Sequence, residues 1–317
     1  MNAQPPPGRS TSAVFAYAQL FRLPALFTAF ADVLLGYFIA YGPTNPYFSG
    51  TALAMLLAAS GFLYTAGMVL NDVYDAEIDA RERPQRPIPS GRVPLEIARL
   101  IGFEFLIIGM AFGWGVSWLD GSYRPGMIAS VLALAVVMYD KVLKRTPATP
   151  LVMGSCRFLN VLLGMSTLAR PVEAWHYVIA GGIGLYIAGV TWFARTESRT
   201  SNRWLLLWGI AVMAIGLGMV AWFPNWFLPP GEGNNPMRYT TVMLLLAALI
   251  LWRPLTAVLD PSPARVQFAV KHCLLALIVL DATVCQALVG GYAGMFIIVL
   301  LIPTLGLGYY MSGKAIT

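Results

Sequence analysis

Charged side chains are scarce in this chain. Asp, Glu, Lys and Arg together make up 11% of its 317 residues, where a soluble domain carries about 25%. That deficit excludes an ordinary water-facing surface. Histidine and cysteine are scarcer still, with two and three copies. His176 and His272 are isolated, and Cys156, Cys273 and Cys285 lie in apolar stretches. None has metal-ligand spacing and the cysteines form no disulfide framework, so they read as small buried thiols. Long polar stretches are missing too, and no loop is long enough to hold a soluble domain. Apolar residues are what the chain does contain: they make up 58% of it, and the mean hydropathy is +0.67. A lipid-facing exterior accounts for both values, because apolar side chains can then point outward as well as inward.

Crossing a bilayer takes about 17–25 apolar residues. Runs of that kind lie near 15–41, 49–70, 96–118, 126–143, 150–169, 175–194, 204–223, 238–255, 268–289 and 291–311. They predict an all-α, polytopic membrane bundle of ten helices. The number falls to nine if the short eighth run, or the last two joined at Gly290 and Gly291, do not count separately. The Pro-rich residues 1–14 read as a disordered tail, 15–312 as a single transmembrane domain and 313–317 as a C-terminal tail. The apolar run behind the first tail is too long for a signal-peptide core and is read as the first helix.

The net charge is +6, and its placement is more informative than its size. With the N-terminus in the cytoplasm, the loops on that side hold fourteen basic residues, from Arg81 to Lys271, against Arg124, Arg170 and Arg238 on the other. The positive-inside rule then puts the basic loops in the cytoplasm. The same placement excludes nucleic acid as a partner, because the basic residues act as topological signals or as anion ligands at the membrane surface. Trp118, Trp175, Trp204 and Trp226 near run ends read as an interfacial aromatic belt.

Directly after the second run comes Asn71-Asp72-Val73-Tyr74-Asp75-Ala76-Glu77-Ile78-Asp79. Spacings of three and four place Asn71, Asp72, Asp75 and Asp79 on one face of a continued helix. Like charges gathered at a membrane surface persist when a cation sits among them. Oxygen-only ligands suit Mg²⁺, which binds through one or two carboxylates plus substrate phosphates. The plainer alternative is a solvated acidic start to a loop. Residues 81–93 follow, with three prolines in six positions that end any helix and stiffen the loop. Arg86 and Arg92 can reach an anion held by the metal, or can serve only as topological anchors. A third cluster, Tyr139-Asp140-Lys141-Val142-Leu143-Lys144-Arg145, supplies Lys141, Lys144 and Arg145 opposite the carboxylates, a pattern suited to ionising a diphosphate leaving group. Arg22, Asp32, Glu104, Arg157, Asn160 and Asp281 lie within apolar runs, where polar residues line cavities or pair. Arg22 and Arg157, near the cytoplasmic ends of their runs, are the stronger candidates for the anion site, while Asp281 reads as structural.

The stretch NDVYDAEIDARERPQRPIPSGRV resembles the first Asp-rich motif of the UbiA superfamily of intramembrane prenyltransferases, N-D-x-x-D-x-x-x-D followed by R-P-I-P-S-G. Phe21-Arg22-Leu23-Pro24 is similar to the opening of that family's first helix, and Tyr139 to Arg145 resembles its Tyr…Lys-Arg motif. The resemblance covers about residues 15–290, with loop details similar to the EboC-type branch. It implies a helical bundle around a central cavity open to lipid, in a plasma membrane of bacterial inner-membrane type. It further implies Mg²⁺-dependent transfer of a prenyl group from a polyprenyl diphosphate to an aromatic or other small acceptor. By motif match Asn71, Asp72, Asp75 and Asp79 hold the metal, with Asp72, Asp75, Lys144 and Arg145 catalytic. Arg22, Arg86, Arg92, Lys141, Arg157 and Arg195 are the diphosphate-binding candidates. The family's second Asp-rich motif is reduced here to Glu197, flanked by Arg195 and Arg199, so either Arg195 replaces a second metal as a fixed cation, or the acceptor differs, or activity is weak or lost. Two alternatives remain beside this reading. One is a superfamily transferase with another diphosphate donor or a polyol or lipid acceptor. The other is a non-catalytic or transport protein, which would show polar, broken helices at mid-membrane.

Overall fold

Proline stands at the first or second position of five of the described helices, where its missing N–H costs nothing, and Ser49 caps another by accepting from the Ala52 N–H at 3.2 Å. The computed structural model describes residues 13–42, 46–143, 146–169, 171–197, 200–227 and 236–316. Among the described residues every regular element is helical: α1 (Ala13–Leu20), α2 (Leu23–Ala40), α3 (Gly50–Tyr74), α4 (Ala76–Glu82), α5 (Leu95–Asp120), α6 (Arg124–Met138) with a π-helical turn at Tyr139–Leu143, α7 (Thr149–Met165), α8 (Ala174–Ala194), α9 (Arg203–Phe227), α10 (Pro236–Leu259), α11 (Pro263–Val289), α12 (Ala293–Ile298) and α13 (Leu301–Ile316).

Among the described residues eight segments are long and apolar enough to span a bilayer: α2, α3, α6 with its π turn, α8, α9, α10, α11 and Ala293–Met311. Helix α5, 26 residues long, packs along α3, and the 17-residue α7 packs between α2 and α8. The predicted all-α bundle of nine or ten membrane helices agrees with this arrangement. Two details differ from the sequence runs. The first run is broken at Arg22, whose φ of 48° is left-handed, so α1 and α2 are separate. The last run is broken at Val299–Leu300 into α12 and α13.

Helix α2 is the hub, touching α3, α7, α11 and α13. Its crossing with α7 is close. A Cβ on Gly36 would overlap the Val161 carbonyl, and one on Gly164 would overlap the Val33 carbonyl. Small residues permit this approach where apolar lipid gives helices little other reason to associate. Leu35, Leu56, Leu63, Leu163, Ile183 and Leu277 are fully buried around the hub, whereas Leu100, Ile107, Leu245 and Leu249 face outward.

The two ends of the bundle are tied separately. At one end Tyr37 Oη donates to the Ser49 carbonyl at 2.8 Å, Tyr41 Oη donates to the Thr167 carbonyl, and Arg124 Nη1 donates to the Leu168 carbonyl at 3.0 Å. At the other, the Ser201 N–H donates to the Pro261 carbonyl at 3.0 Å and Asn71 reaches Asp140. The second end gathers the acidic motif, the Pro-rich loop, the π turn and the segment after α8.

Candidate active site

Asn71 and Asp72 occupy the last turn of α3, and Asp79 lies in α4. Between them Asp75 sits in a bridge conformation, φ −91° and ψ 0°, that ends one helix and starts the next. Hydrogen bonding continues through the bend, from Asp75 N–H to the Asn71 carbonyl at 3.1 Å and from Asp79 N–H to the Asp75 carbonyl at 2.8 Å. The acidic face therefore survives the break. Asp72 and Asp79 are buried, at 5% and 4% exposure, and Asp75 is half-buried.

Two guanidinium groups compensate these carboxylates. Arg86 Nη1 donates to Asp72 Oδ1 at 3.2 Å and to Asp79 Oδ2 at 2.5 Å, and Arg22 Nη2 donates to the same Asp72 Oδ1 at 2.9 Å. Arg86 is aimed by its loop, where the Arg86 N–H donates to the Arg83 carbonyl and the Ser90 N–H to the Arg86 carbonyl, both at 3.0 Å. Gly91 takes a positive φ of 74° there, and its N–H donates to the Ile88 carbonyl. Arg92 has a different position. It donates to Ser90 Oγ at 2.9 Å, the Gln85 carbonyl at 2.7 Å and Gln19 Oε1 at 2.9 Å, bracing the loop against α1. Ala16, Leu20, Val69, Val73, Ile88 and Val93 form a small core beneath this junction. That core is why α1, α3 and the Pro-rich loop meet.

On the other flank Asn71 Nδ2 donates to Asp140 Oδ1 at 3.3 Å. Asp140 is buried on the π turn, and Lys141 beside it is exposed. Lys144 and Arg145 lie outside the described residues. Asp75, Arg22 and Asp140 all act electrostatically on the Tyr139 hydroxyl, so they converge on one mouth. From this mouth a narrow cavity of about 60 Å³ runs between α2, α3, α6 and α7, past Tyr139 and Asp140 to Arg157 and Asn160.

Arg157 is not brought to the acidic motif. It stands eight residues into α7, about 12 Å from that end. There it pairs with Asp32 at 2.9 Å, donates to Thr28 Oγ1 at 2.8 Å, and lies over the Tyr64 ring at 5.7 Å. Asn160 donates to Asp32 Oδ2 at 3.1 Å and to the Ala29 carbonyl at 2.8 Å. The hydrogen-bonded partnerships join residues more than 120 positions apart, the ring contact residues more than 90 apart, and none leaves a mark on local sequence. Asp140 as the partner of Asn71, and Tyr64 and Thr28 as partners of Arg157, were also missed, although the polar residues inside apolar runs pointed to such a cluster. Glu104 faces outward on α5.

The segment after α8 also faces the site. Arg195 is exposed and its N–H donates to the Trp192 carbonyl at 3.3 Å. Glu197 is half-buried. Burial pushes its carboxyl above the ordinary glutamate range, against the opposing pull of Arg83, Arg22 and Lys271. The remnant acid thus shares Arg22 with the first motif across the mouth.

Among the described residues no three His, Cys, Asp or Glu side chains form a ready-made metal cage. Mg²⁺ does not require one, since it keeps several waters and takes one or two carboxylates with substrate phosphates. Two buried carboxylates already holding a cationic group, next to an amide oxygen, have the chemistry such an ion needs.

The model of the UbiA prenyltransferase family matches residues 29–278. The chain belongs to this family. Among its relatives is the digeranylgeranylglyceryl phosphate synthase of Saccharolobus solfataricus, 32% identical over 131 residues, which are 41% of this chain and 44% of that one. The chain thus spans less than half the length of that synthase. The protoheme IX farnesyltransferase of Paracoccus denitrificans is 28% identical over 258 residues, 79% of this chain and 74% of the other. A UbiA homolog from Archaeoglobus fulgidus, solved bound to DMAPP and Mg²⁺, superposes with a TM-score of 0.62 at 15% identity, covering 89% of this chain and 98% of that one. This UbiA-family chain therefore shares the fold of that homolog, and its multi-pass helices make it an integral membrane protein.

Proposed function

We propose that this UbiA-family protein transfers a prenyl group from a polyprenyl diphosphate to a small acceptor within the membrane, at the end of the bundle that bears the acidic motif. The observation that carries the reading is the compensated cluster of Asp72, Asp79, Arg22 and Arg86, of which Arg22, Asp72 and Arg86 line an open pocket of about 260 Å³ at the end of a helical bundle. A lipid diphosphate has a charged head and an apolar tail, and this place offers a charged mouth and an apolar bore.

In this reading Asp72, Asp75 and Asp79, with the Asn71 amide oxygen, hold Mg²⁺. When bound, the ion neutralises diphosphate charge and makes it a better leaving group. Arg22 and Arg86 turn from the carboxylates toward phosphate oxygens, for which a guanidinium fork is well matched. As the C1–oxygen bond breaks, its electron pair leaves with the diphosphate, and these cations stabilise the growing charge. Lys141 stands exposed beside the mouth, and Lys144 and Arg145, which follow it in sequence, are assigned to the diphosphate by their match to the family motif. Arg92 holds the loop that aims Arg86. On the far side Glu197 gives the mouth a single acid, and Arg195 supplies a fixed positive charge in place of a second metal. The cavity walls take the start of the prenyl tail and keep water from C1. The basic end faces the cytoplasm, as fourteen basic residues against three favour.

Turnover of radiolabelled geranylgeranyl or farnesyl diphosphate by protein in membranes, with and without Mg²⁺, tests this reading. We expect Mg²⁺-dependent consumption, and a loss of about 100-fold or more in Asp72→Ala and Asp75→Ala, the scale of removing preorganised charge stabilisation. Purified protein that neither binds nor consumes a polyprenyl diphosphate would refute it.

A further inference from the structure

Helix α13 stands apart from the rest of the bundle in two ways. It lies beyond residues 29–278, the stretch that the family model matches. It also contributes little to the core, since from Leu301 to Met311 only Thr304 is buried. The helix packs along α2. A Cβ added at Gly306 or Gly308 would meet nothing within 4 Å, so no tight crossing holds it there.

Its last described side chain has a place in the site. Met311 is half-buried and lines the open pocket of about 260 Å³ together with Arg22, Asp72, Arg86 and Pro87. Arg22 stands at the start of α2 and Met311 ten residues into α13, about 15 Å along its axis. The two helices therefore run antiparallel and bring these side chains to the same end. The charges of the pocket are already matched, because both guanidinium groups are held by Asp72 Oδ1. Its uncommitted side is apolar: Pro87 from the Pro-rich loop and Met311 from α13.

A lipid diphosphate changes from charged to apolar across a single C–O bond. The pocket makes the same change between its two arginines and its two apolar members. Pockets that enclose a drug-sized ligand hold about 300–1,000 Å³. This one has room for the diphosphate and the adjoining carbons, and leaves the rest of a polyprenyl chain to the lipid beside α2 and α13. Methionine suits such a contact, because its unbranched, polarisable side chain adapts to an irregular apolar surface. We infer that Met311 is a donor-contacting residue, packing on the carbons next to the diphosphate and shielding C1 from water. A helix outside the family-matched stretch then completes the donor site. The inference rests on the prenyl-transfer reading above and adds one residue to it. The plainer alternative is a lipid-facing helix whose end touches the mouth by chance, and it predicts no response of position 311 to the donor.

Thiol protection decides between them. Full-length Met311→Cys in nanodiscs is treated with N-ethylmaleimide, and wild type gives the background of the native cysteines. Leu305→Cys is the control, on the same helix at an exposed position outside the pocket lining. Mg²⁺ with a non-hydrolysable geranylgeranyl diphosphate analogue, at about ten times its Kd, should slow modification of Met311→Cys about tenfold. Mg²⁺ with inorganic diphosphate, the charged head alone, should protect far less. Leu305→Cys should react at one rate throughout. No protection of Met311→Cys, equal protection by inorganic diphosphate, or equal protection of Leu305→Cys overturns the inference. Turnover gives a second measure. Met311→Trp crowds the pocket and should raise the donor KM about tenfold, whereas Leu305→Trp should leave it unchanged. An unchanged KM in Met311→Trp also overturns it. Calorimetry of the analogue separates the two failures. If wild type does not bind it, the prenyl-transfer reading falls and this inference with it. If wild type binds it and Met311→Cys is unprotected, only the contact at Met311 falls.

Discussion

Arg86 and Arg92 sit six residues apart on one loop and serve different ends. Arg86 reaches two buried carboxylates, and Arg92 ties the loop to Gln19. Their sequence context names both as anion ligands and cannot separate them, because a loop's turns decide which guanidinium faces inward. Glu197 makes a sharper case. Its carboxyl is raised above the ordinary value of 4.5 by burial, with Arg83, Arg22 and Lys271 opposing. Folding therefore favours its protonated form. That stability contribution is fully present below 4.5 and is lost as pH rises through the higher folded value. Thermal unfolding of wild type and Glu197→Gln from pH 4 upward checks this. The variant should gain relative stability across that window, and parallel curves would contradict the assignment. The residues of the acidic motif were readable because their spacing is local. The Arg157–Asp32 pair was not, since periodicity marks which residues are polar inside a span but never which helix supplies the partner.

At the level of elements, the break between α1 and α2 matters most. Hydropathy reads residues 15–41 as one run, because apolar content does not register backbone direction. The left-handed Arg22 ends α1, and Pro24 in the first turn restarts the helix. A non-glycine residue in this conformation carries strain of about 1–2 kcal/mol, and strain of this kind collects at functional sites. Here the break carries Arg22 to Asp72. Two substitutions separate backbone from charge. Arg22→Ala and Arg22→Gly should lose turnover alike, since both remove the guanidinium. In thermal or denaturant unfolding Arg22→Gly should be about 1 kcal/mol the more stable, because glycine accepts a positive φ without strain. Equal stability of the two would argue against strain at this position. The split of the last run into α12 and α13 was equally invisible to hydropathy, as both halves are apolar.

Taken as a whole molecule, the chain is polarised. The acidic motif, the π turn and most basic loops share one end, while Tyr47, Tyr123 and Arg124 mark the other. The bundle architecture was legible because hydrophobic length and basic-loop asymmetry are global properties of the sequence. The cavity was not, because its lining comes from α2, α3, α6, the π turn and α7, and nothing local in the sequence says that these five meet. Orientation is open to direct measurement. In intact cells a membrane-impermeant thiol reagent should modify Tyr47→Cys, and should reach Lys141→Cys only after permeabilisation. Labelling in the reverse order would invert the assigned topology. The native cysteines give little background, as Cys273 and Cys285 are buried and Cys156 is half-buried.

The guanidinium shared by Asp72 and Asp79 has a consequence for the order in which ligands assemble. The acidic wall is internally neutralised before any ligand arrives, so a free divalent ion must compete with a tethered one. Arriving together with a diphosphate, the ion meets less resistance, because the displaced arginine gains an anion of its own. Loading should then be ordered and mutually reinforcing, with neither component bound tightly alone. Calorimetric titration of Mg²⁺ should show weak binding to the bare protein and a marked gain when a non-hydrolysable prenyl diphosphate analogue is present. In Arg86→Ala that gain should shrink, because the carboxylates are then open to the ion from the outset.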